Sequence, residues 1–560
     1  TSQSFFTQLI DSAKQPRVVY SRGYEATYSH FNQFLQQSEI NEKYTDELIL
    51  NILNYSKFEW FISPRVVFYG DDEVWGTTRV NLNAYPGHYT SKIAGRTKEP
   101  SNLVSRKVAQ NIFNQLKKEP VKNCYLWTTL SREKDIKVEL TNGEDVVVGN
   151  RVVMCTENPM SLLLTMFSQR IHCALNTVSD DRMRYHLAGK FDADKYLRLL
   201  RKERMYDYKL EADWRNYDAN IDERFIRIAS TLLLQNLPDD DLHKNIRYLI
   251  TSSLITKYVA VPPGVVIEVN KGVPSGHPFT TLINCNVNLI YWSLIGYNIY
   301  GEEYYKYMDV EVYGDDAVVF FKYHSNLSKI DDIIHDLGLK SETLYTKLKL
   351  CNFDYKDEEN IDFLKRRYDE RGVRWNYKKL FDKLFYQSKK RNYNEQLELL
   401  ISFYETAPDD EDMRWFMNDC VRKITENYPG YKFQKNIVCY LDEEVSRVRH
   451  DKLRHEYSTY VSKNDLTDYN KFYLDLYSKQ GIFHKYYSYY EDSEWDEWRT
   501  KQTMLLYSIN LDLYRGTARL RKLRRYMFNV RGEDWNQLSL SDDRAQFMES
   551  YKTKCNEGII

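Results

Sequence analysis

Residues 311–321 read Glu-Val-Tyr-Gly-Asp-Asp-Ala-Val-Val-Phe-Phe, and the fold turns on how they are read. Met308, Val310 and Val312 lead into Gly314-Asp315-Asp316, and an apolar run over 317–321 leads out. Two short apolar runs around a Gly-Asp pair predict a tight β-hairpin with both carboxylates at its tip. Adjacent carboxylates repel each other, so the arrangement is costly unless a cation neutralises it. Mg2+ suits such a place, because it is a hard ion that prefers oxygen ligands. Ordinary solvent-facing turns use the same residues, so the surrounding chain has to decide.

Upstream, 206–212 predicts a short strand that ends at Asp213. Asp213-Trp214-Arg215-Asn216-Tyr217-Asp218 follows, then a helical pattern at Ile221, Phe225, Ile228 and Leu232. Asn220 and Glu223 have the spacing of a capping box. At a strand end, Asp213 can reach a cation held by the hairpin acids. Asp218 stands past the turn, toward where a nucleotide sugar would lie, although an Asp at a helix start is also an ordinary cap. Residues 238–260 hold Pro238, an acidic trio at 239–241 and a mixed apolar helix. Pro262-Pro263-Gly264 and Gly272-Val273-Pro274-Ser275-Gly276 interrupt the chain before a helix with Phe279, Leu282, Ile283, Val287 and Ile290 on its apolar stripe. Thr280 and Asn284 fall four apart on one face of that helix. The Asn284 amide both donates and accepts, which suits a ribose 2′-OH or a partner inside the fold.

The N-terminal 60 residues read as mostly helical, with Phe34, Leu35, Ile40, Leu48, Ile49 and Ile52 in the core. Residues 65–68 look like a strand, followed by a second Tyr-Gly-Asp-Asp at 69–72, which reads as a surface turn. Turn residues and basic ends fill 83–98, including Lys98: a loop, or a guide for a phosphate backbone. A helix is expected through Val108, Ile112 and Leu116, and another from Pro159 through Leu162, Leu163, Met166 and Phe167. Between them, Ile136-Val138-Leu140, Asn142-Gly143 and 146–148 predict a hairpin. Arg132, Lys134, Lys137 and Arg151 surround it, either to hold a triphosphate or as a solvated face.

Past the central hairpin, 330–337 is helical, and Lys340, Lys347 and Lys349 follow. Phe363-Leu364-Lys365-Arg366-Arg367 is hydrophobic, then basic. From about 370 the pattern is largely helical, as at Leu397, Leu400, Ile401 and Tyr404, with an acidic loop at 409–412. Arg519, Arg521, Lys522, Arg524 and Arg525 form the densest basic patch, suited to an RNA backbone or a solvated helix face.

With 560 residues the chain needs two or three packed subregions. Lys and Arg number 79 against 80 Asp and Glu, so any nucleic-acid site must be a local basic channel rather than a global field. The 47 Tyr, 25 Phe and 10 Trp offer core material and stacking platforms. Eight Cys without a Cys-x-x-Cys pair argue against a zinc knuckle or disulfide framework and fit a reducing compartment. Thr-Ser-Gln-Ser-Phe-Phe at the start lacks a signal pattern, and no apolar run reaches 18 residues; secretion and membrane spanning are not expected.

In order and spacing, Asp213-x-x-x-x-Asp218, Pro274-Ser275-Gly276 with Thr280 and Asn284, and Tyr313-Gly314-Asp315-Asp316 resemble the three palm motifs of viral RNA-dependent RNA polymerases. Phe363-Leu364-Lys365-Arg366 is similar to the element that grips the primer strand. The flavour resembles the polymerases of small double-stranded RNA viruses, the partitivirus and picobirnavirus group. There the first block usually reads Asp-Trp-Ser-x-Phe-Asp; here it reads Asp-Trp-Arg-Asn-Tyr-Asp.

This resemblance implies an α+β closed right hand. An N-terminal region at 1–90 would bridge fingers and thumb. Fingers would span 91–205 and 234–269, palm 206–233 and 270–368, thumb 369–500, and a basic helical region 501–560. It implies template-directed RNA synthesis for viral replication and transcription, with Mg2+ or Mn2+ held by Asp213, Asp315, Asp316 and the Trp214 carbonyl. Arg132, Lys134 or Arg151 would contact the triphosphate; Asp218, Ser275, Gly276, Thr280 and Asn284 would line the nucleotide site. Lys347 would protonate pyrophosphate, with Lys340 and Lys349 as competitors. Lys98, Lys365, Arg366, Arg519, Arg521 and Arg524 would touch RNA. Expected partners are template and product RNA, nucleoside triphosphates and the inside of a viral capsid, with no membrane; the setting would be the virion interior and host cytoplasm. A reverse transcriptase shares the paired acids, and an inert nucleic-acid-binding protein is the rival from another class.

Overall fold

Helices and several separate sheets interleave along the chain, a mixed α+β architecture. The computed structural model describes residues 18–433 apart from short interior stretches, which include 71–74, 132–135, 142–143, 147–150, 262–264, 352–360 and 381–390. Arg132, Lys134, Arg519, Arg521, Arg524, the acids of the second Tyr-Gly-Asp-Asp and the Asn142-Gly143 turn lie outside the described residues.

In chain order come α1 (Tyr24–Leu35), α2 (Asp46–Tyr55), α3 (Asn102–Leu116), β1 (Leu126–Ser131), β2 (Glu139–Thr141), β3 (Glu144–Val146), β4 (Val152–Thr156), α4 (Asn158–Asn176) and α5 (Ala193–Met205). Next are β5 (Tyr208–Ala212), α6 (Glu223–Leu234), α7 (Asp241–Ile255), β6 (Lys257–Val261), β7 (Val265–Val269), α8 (Thr280–Tyr300), β8 (Met308–Tyr313) and β9 (Asp316–Phe321). The last are α9 (Ile330–Asp336), β10 (Lys349–Leu350), β11 (Ile361–Phe363), β12 (Arg366–Asp369), β13 (Gly372–Trp375), α10 (Tyr393–Glu405) and α11 (Glu411–Asn427).

The central sheet has the order β8-β9-β5-β10 and is antiparallel throughout. Strand alternation sends Leu210, Ala212, Val310, Val312, Val319 and Phe321 to one buried face. That face joins the main core with α8, where Trp292 packs edge-on to Phe321. A Cβ at Gly296 of α8 would collide with the Met308 sulfur, so glycine is what lets helix and sheet approach. Each fully buried aliphatic side chain contributes about 1.5–3 kcal/mol. Val318 and Phe320 point the other way, into a second core with Phe363, Trp375, Leu397 and Met413 from β11, β13, α10 and α11. This face also buries charge. Arg198 grips Glu311 at 2.9 Å, and Lys202 stands 3.5 Å from Glu311 and 3.6 Å from Asp309.

A second sheet, β4-β1-β6-β7, contains the parallel pair β1/β6. A third, β11-β12-β13, stands beside the central sheet. β2 and β3 pair on either side of the Asn142-Gly143 position.

Several local expectations need correction. Residues 65–68 form no strand; Phe68 instead gives its backbone N–H to the His243 ring at 2.9 Å. The cap of α6 is Asp222, which accepts from the Arg224 N–H, while Asn220 sits in a 3-10 turn and donates to the Asn216 carbonyl. Helix α7 stops at Ile255, and 257–261 is strand β6. Leu35 is exposed, unlike Phe34, Ile40, Ile49 and Ile52. A β-strand, β13, follows residue 370, where helix was expected.

Candidate active site

The hairpin forms as the apolar flanks predict. Partners run from Met308 opposite Phe321 to Tyr313 opposite Asp316, leaving Gly314 and Asp315 as the two-residue turn. Gly314 has a φ of +57°, and nothing stands where its Cβ would go. The left-handed backbone, not lack of space, therefore selects glycine at the first turn position, as a type II′ turn requires.

Strand β5 brings the third acid. Ala212 opposes Ala317 in the last pair of the ladder, so Asp213 leaves the sheet at the end where Asp316 begins β9, close enough for its charge to act on Asp316. The Ser341 hydroxyl donates to the Asp213 carbonyl at 2.8 Å, and Trp214 bridges Ser341 across the backbone. Ser341 holds the segment that carries the acid, and nothing in its sequence setting signals this.

Charge is unbalanced here. The Asp316 carboxyl is pushed up to about 7, first by burial and then by Asp315 and Asp213. Arg151 and Lys365 pull it back only in part. Arg151 lies 3.9 Å from Asp315, with both side chains partly exposed. Among the described residues, no three His, Cys, Asp or Glu side chains converge tightly enough to hold an ion as the chain stands. The donor set nonetheless fits a hard cation: hard carboxylate oxygens, with negative charge the local cations leave uncompensated.

A second cluster adjoins it. Asn284 donates to Asp218 at 2.6 Å, while its own side-chain oxygen is buried without a partner. The Tyr217 hydroxyl donates to the Asn284 carbonyl at 2.7 Å, and Val273 N–H donates to the Asp218 carbonyl at 2.9 Å. Ser275 reaches the Val152 carbonyl at 3.4 Å, and a Cβ at Gly276 would strike the Met154 carbonyl. The Ser-Gly element thus lies directly on β4, next to Arg151. Thr280 spends its hydroxyl on the Pro274 and His277 carbonyls, closing the start of α8.

Basic residues divide by what they touch. Lys98 donates to Ser161, and burial lowers its proton affinity. Arg366 donates to the Thr406 and Leu364 carbonyls and stacks 4.1 Å over Trp375. Lys365 occupies the exposed tip of the β11–β12 hairpin, where Leu364 and Lys365 both have positive φ. Lys347 pairs with Glu342, Lys340 with Glu39 and Lys349 with Glu211.

Helix α8 carries more polar residues than its apolar stripe signals. Asn286 and Asn288 are wholly buried, and each links α8 to other segments. Cys285 accepts the Gly314 N–H at 3.2 Å. No helix among the described residues is long and apolar enough to cross a membrane.

Parts of the sequence are similar to known proteins. A stretch of the bovine enteric calicivirus NB genome polyprotein is 30% identical over 175 residues, covering 29% of this chain and 8% of the polyprotein. The genome polyprotein of bovine enteric calicivirus Newbury agent-1 is 29% identical over 173 residues, again 29% of this chain and 8% of the relative. Non-structural polyprotein 1AB of mink astrovirus 1 is 24% identical over 225 residues, 38% of this chain and 16% of that protein. The chain thus spans only a small part of the length of these relatives. The matches point to caliciviruses and astroviruses and do not single out the partitivirus and picobirnavirus group. Residues 187–421, which contain all three acids, match the family described as viral RNA-dependent RNA polymerase, and this part of the chain is a domain of that kind, related to calicivirus and astrovirus polyproteins.

Proposed function

We propose that this chain synthesises RNA on an RNA template, for replication and transcription of a viral genome. The observation that carries this is the β5–β9 register, whose last pair, Ala212 with Ala317, supports a reading in which Asp213 joins Asp315 and Asp316 at one end of the sheet. The match of 187–421 to the polymerase family supports it.

The reaction is attack of an RNA 3′-OH on the α-phosphate of a nucleoside triphosphate, with pyrophosphate leaving. Two Mg2+ ions, or Mn2+, supply charge stabilisation at the attacking and leaving oxygens when bound. Asp213 and Asp315 would hold these ions, with Asp316 and the Trp214 carbonyl assisting. Arg151, already drawn to Asp315, turns to the triphosphate, aided by Arg132 and Lys134. Lys347 is the acid for the departing pyrophosphate, ahead of Lys340 and Lys349. Asn284, held by Asp218, offers its bare oxygen to the 2′-OH, with Ser275, Gly276 and Thr280 shaping the same wall. That pair favours ribose and so argues against a reverse transcriptase.

The wider assignment is a closed right hand with palm at 206–233 and 270–368, fingers at 91–205 and 234–269, and a thumb from 369. Lys98, Lys365, Arg366 and the basic residues at 519–524 are the RNA contacts in this reading. The capsid interior is a proposed partner. The narrower kinship to small double-stranded RNA viruses is the finer reading, and Arg215 and Tyr217 depart from the wording usual in that group.

Extension of a primed RNA template by ribonucleotides, with Mg2+ varied, tests the proposal. Asp315→Asn is expected to lose at least about 10²-fold of the rate at every Mg2+ level, the scale of removing a central electrostatic group. Near-normal extension by that variant would falsify the assignment.

A further inference from the structure

Helix α8 passes behind both acid-bearing segments, and Asn288 stands where they meet. Its side-chain oxygen accepts the Trp214 indole N–H at 3.0 Å. Its amide nitrogen donates to the Gly314 carbonyl at 3.1 Å and lies 3.4 Å from that of Asp316. One buried amide therefore holds the residue after Asp213 and the main-chain carbonyls of Gly314 and Asp316, the residues on either side of Asp315.

The physical need is plain. Three carboxylates in one place push the hairpin tip and the end of β5 apart. Strand pairing resists this only as far as Ala212 and Ala317, since the β5–β9 ladder ends there. Beyond it, Asn288 supplies the cross-link. A planar amide on a helix packed on all sides has little freedom, so both segments are referred to one fixed point.

Asn286 offers a built-in contrast. It lies on the same helix and is equally buried, but it accepts the Tyr185 hydroxyl and donates to the Ala229 carbonyl at 3.1 Å. Those bonds fasten the helix to segments that carry none of the three acids.

We propose that Asn288 is a positioning residue that sets the spacing between Asp213 and the Asp315–Asp316 turn, so that a divalent cation can draw their carboxylates together without moving the backbone. This rests on the polymerase reading above.

The test uses the full chain and Mn2+ itself, with uptake followed by loss of the free-ion electron paramagnetic resonance signal. Asn288→Leu is expected to weaken Mn2+ binding about tenfold, the scale of losing an outer-sphere support. The Mg2+ needed for half-maximal extension should rise by a similar factor, with KM for template unchanged. Trp214→Phe, which removes the indole donor and part of the ring but keeps an aromatic side chain, should shift both in the same direction, and it decides the matter if Asn288→Leu does not fold. Asn286→Leu should lower the melting temperature yet leave Mn2+ affinity alone. Equal Mn2+ affinity in the Asn288, Trp214 and unaltered chains would overturn the positioning role while leaving the polymerase reading intact. An unaltered chain that neither takes up Mn2+ nor extends RNA would overturn that reading and this inference with it.

Discussion

Asn284 gives an amide hydrogen to Asp218 at 2.6 Å and keeps its own side-chain oxygen buried and bare. A buried acceptor without a donor costs roughly 1–3 kcal/mol. A ligand hydroxyl arriving at that oxygen recovers this, whereas a sugar lacking the hydroxyl does not. Asn284→Ala should therefore reduce the preference for ribo- over deoxyribonucleotides by about tenfold, about one hydrogen bond's worth. Single-nucleotide incorporation with matched NTP and dNTP pairs measures it. An unchanged ratio would remove Asn284 from sugar selection.

Asp316 predicts a pH signature for the cation-free chain. Its carboxyl is raised from the ordinary 3.8 to about 7 by burial and by Asp315 and Asp213. Between those values the folded chain binds a proton that the unfolded chain releases, so this group's contribution to stability falls as pH rises through the window. Asp316→Asn removes the titration. The variant's stability advantage should therefore grow from about pH 4 to about pH 7 and then level off. Adding Mg2+ should narrow the gap at pH 7 by favouring the carboxylate. Urea midpoints across this range report the difference, and a flat one would mean that Asp316 is not held in its acid form.

The hairpin, the end of strand β5 and the helix after Ser275-Gly276 were legible because each depends on local pattern. Apolar runs around Gly314-Asp315 fix the turn, and Thr280 and Asn284 share a helix face by spacing alone. What stayed hidden depends on partners far along the chain. Asn288 matters through Trp214 and Gly314, and Ser341 through Asp213; no short window contains either pair. The Asn220–Glu223 reading failed because a nearer Asp222 took the cap. The strand expected at 65–68 failed because His243 claimed the Phe68 N–H that a neighbouring strand would have used.

Charge buried under the sheet makes another prediction. Glu311 is fully buried and receives Arg198 at 2.9 Å, with Lys202 at 3.5 Å. Removing one partner of such a pair leaves a charge in a poor solvent, at a cost of about 3–5 kcal/mol. Arg198→Met should destabilise by up to that amount, because Lys202 compensates Glu311 only in part. Arg198→Met with Glu311→Leu should recover much of it, because the double change removes both charges. Chemical denaturation of the two variants checks this, and equal losses would mean that the single variant suffers from lost packing rather than stranded charge.

Lys365 separates stability from function. Leu364 and Lys365 turn the β11–β12 hairpin with φ of 55° and 63°, where L-residues cost about 1–2 kcal/mol each. Glycine tolerates this conformation but pays in unfolded-state entropy, so Lys365→Gly should stabilise the chain by a net amount of roughly 0.5–1 kcal/mol. The same change removes an exposed cation that lowers the proton affinity of Asp316 and stands at the proposed primer-grip position. RNA affinity should then fall, and the slope of log affinity against log salt should flatten by about one. Denaturation and salt-dependent RNA binding on the same variant give the two readouts. Their moving in opposite directions is the expected outcome; a stable variant with undiminished RNA affinity would show that the tip serves the fold alone.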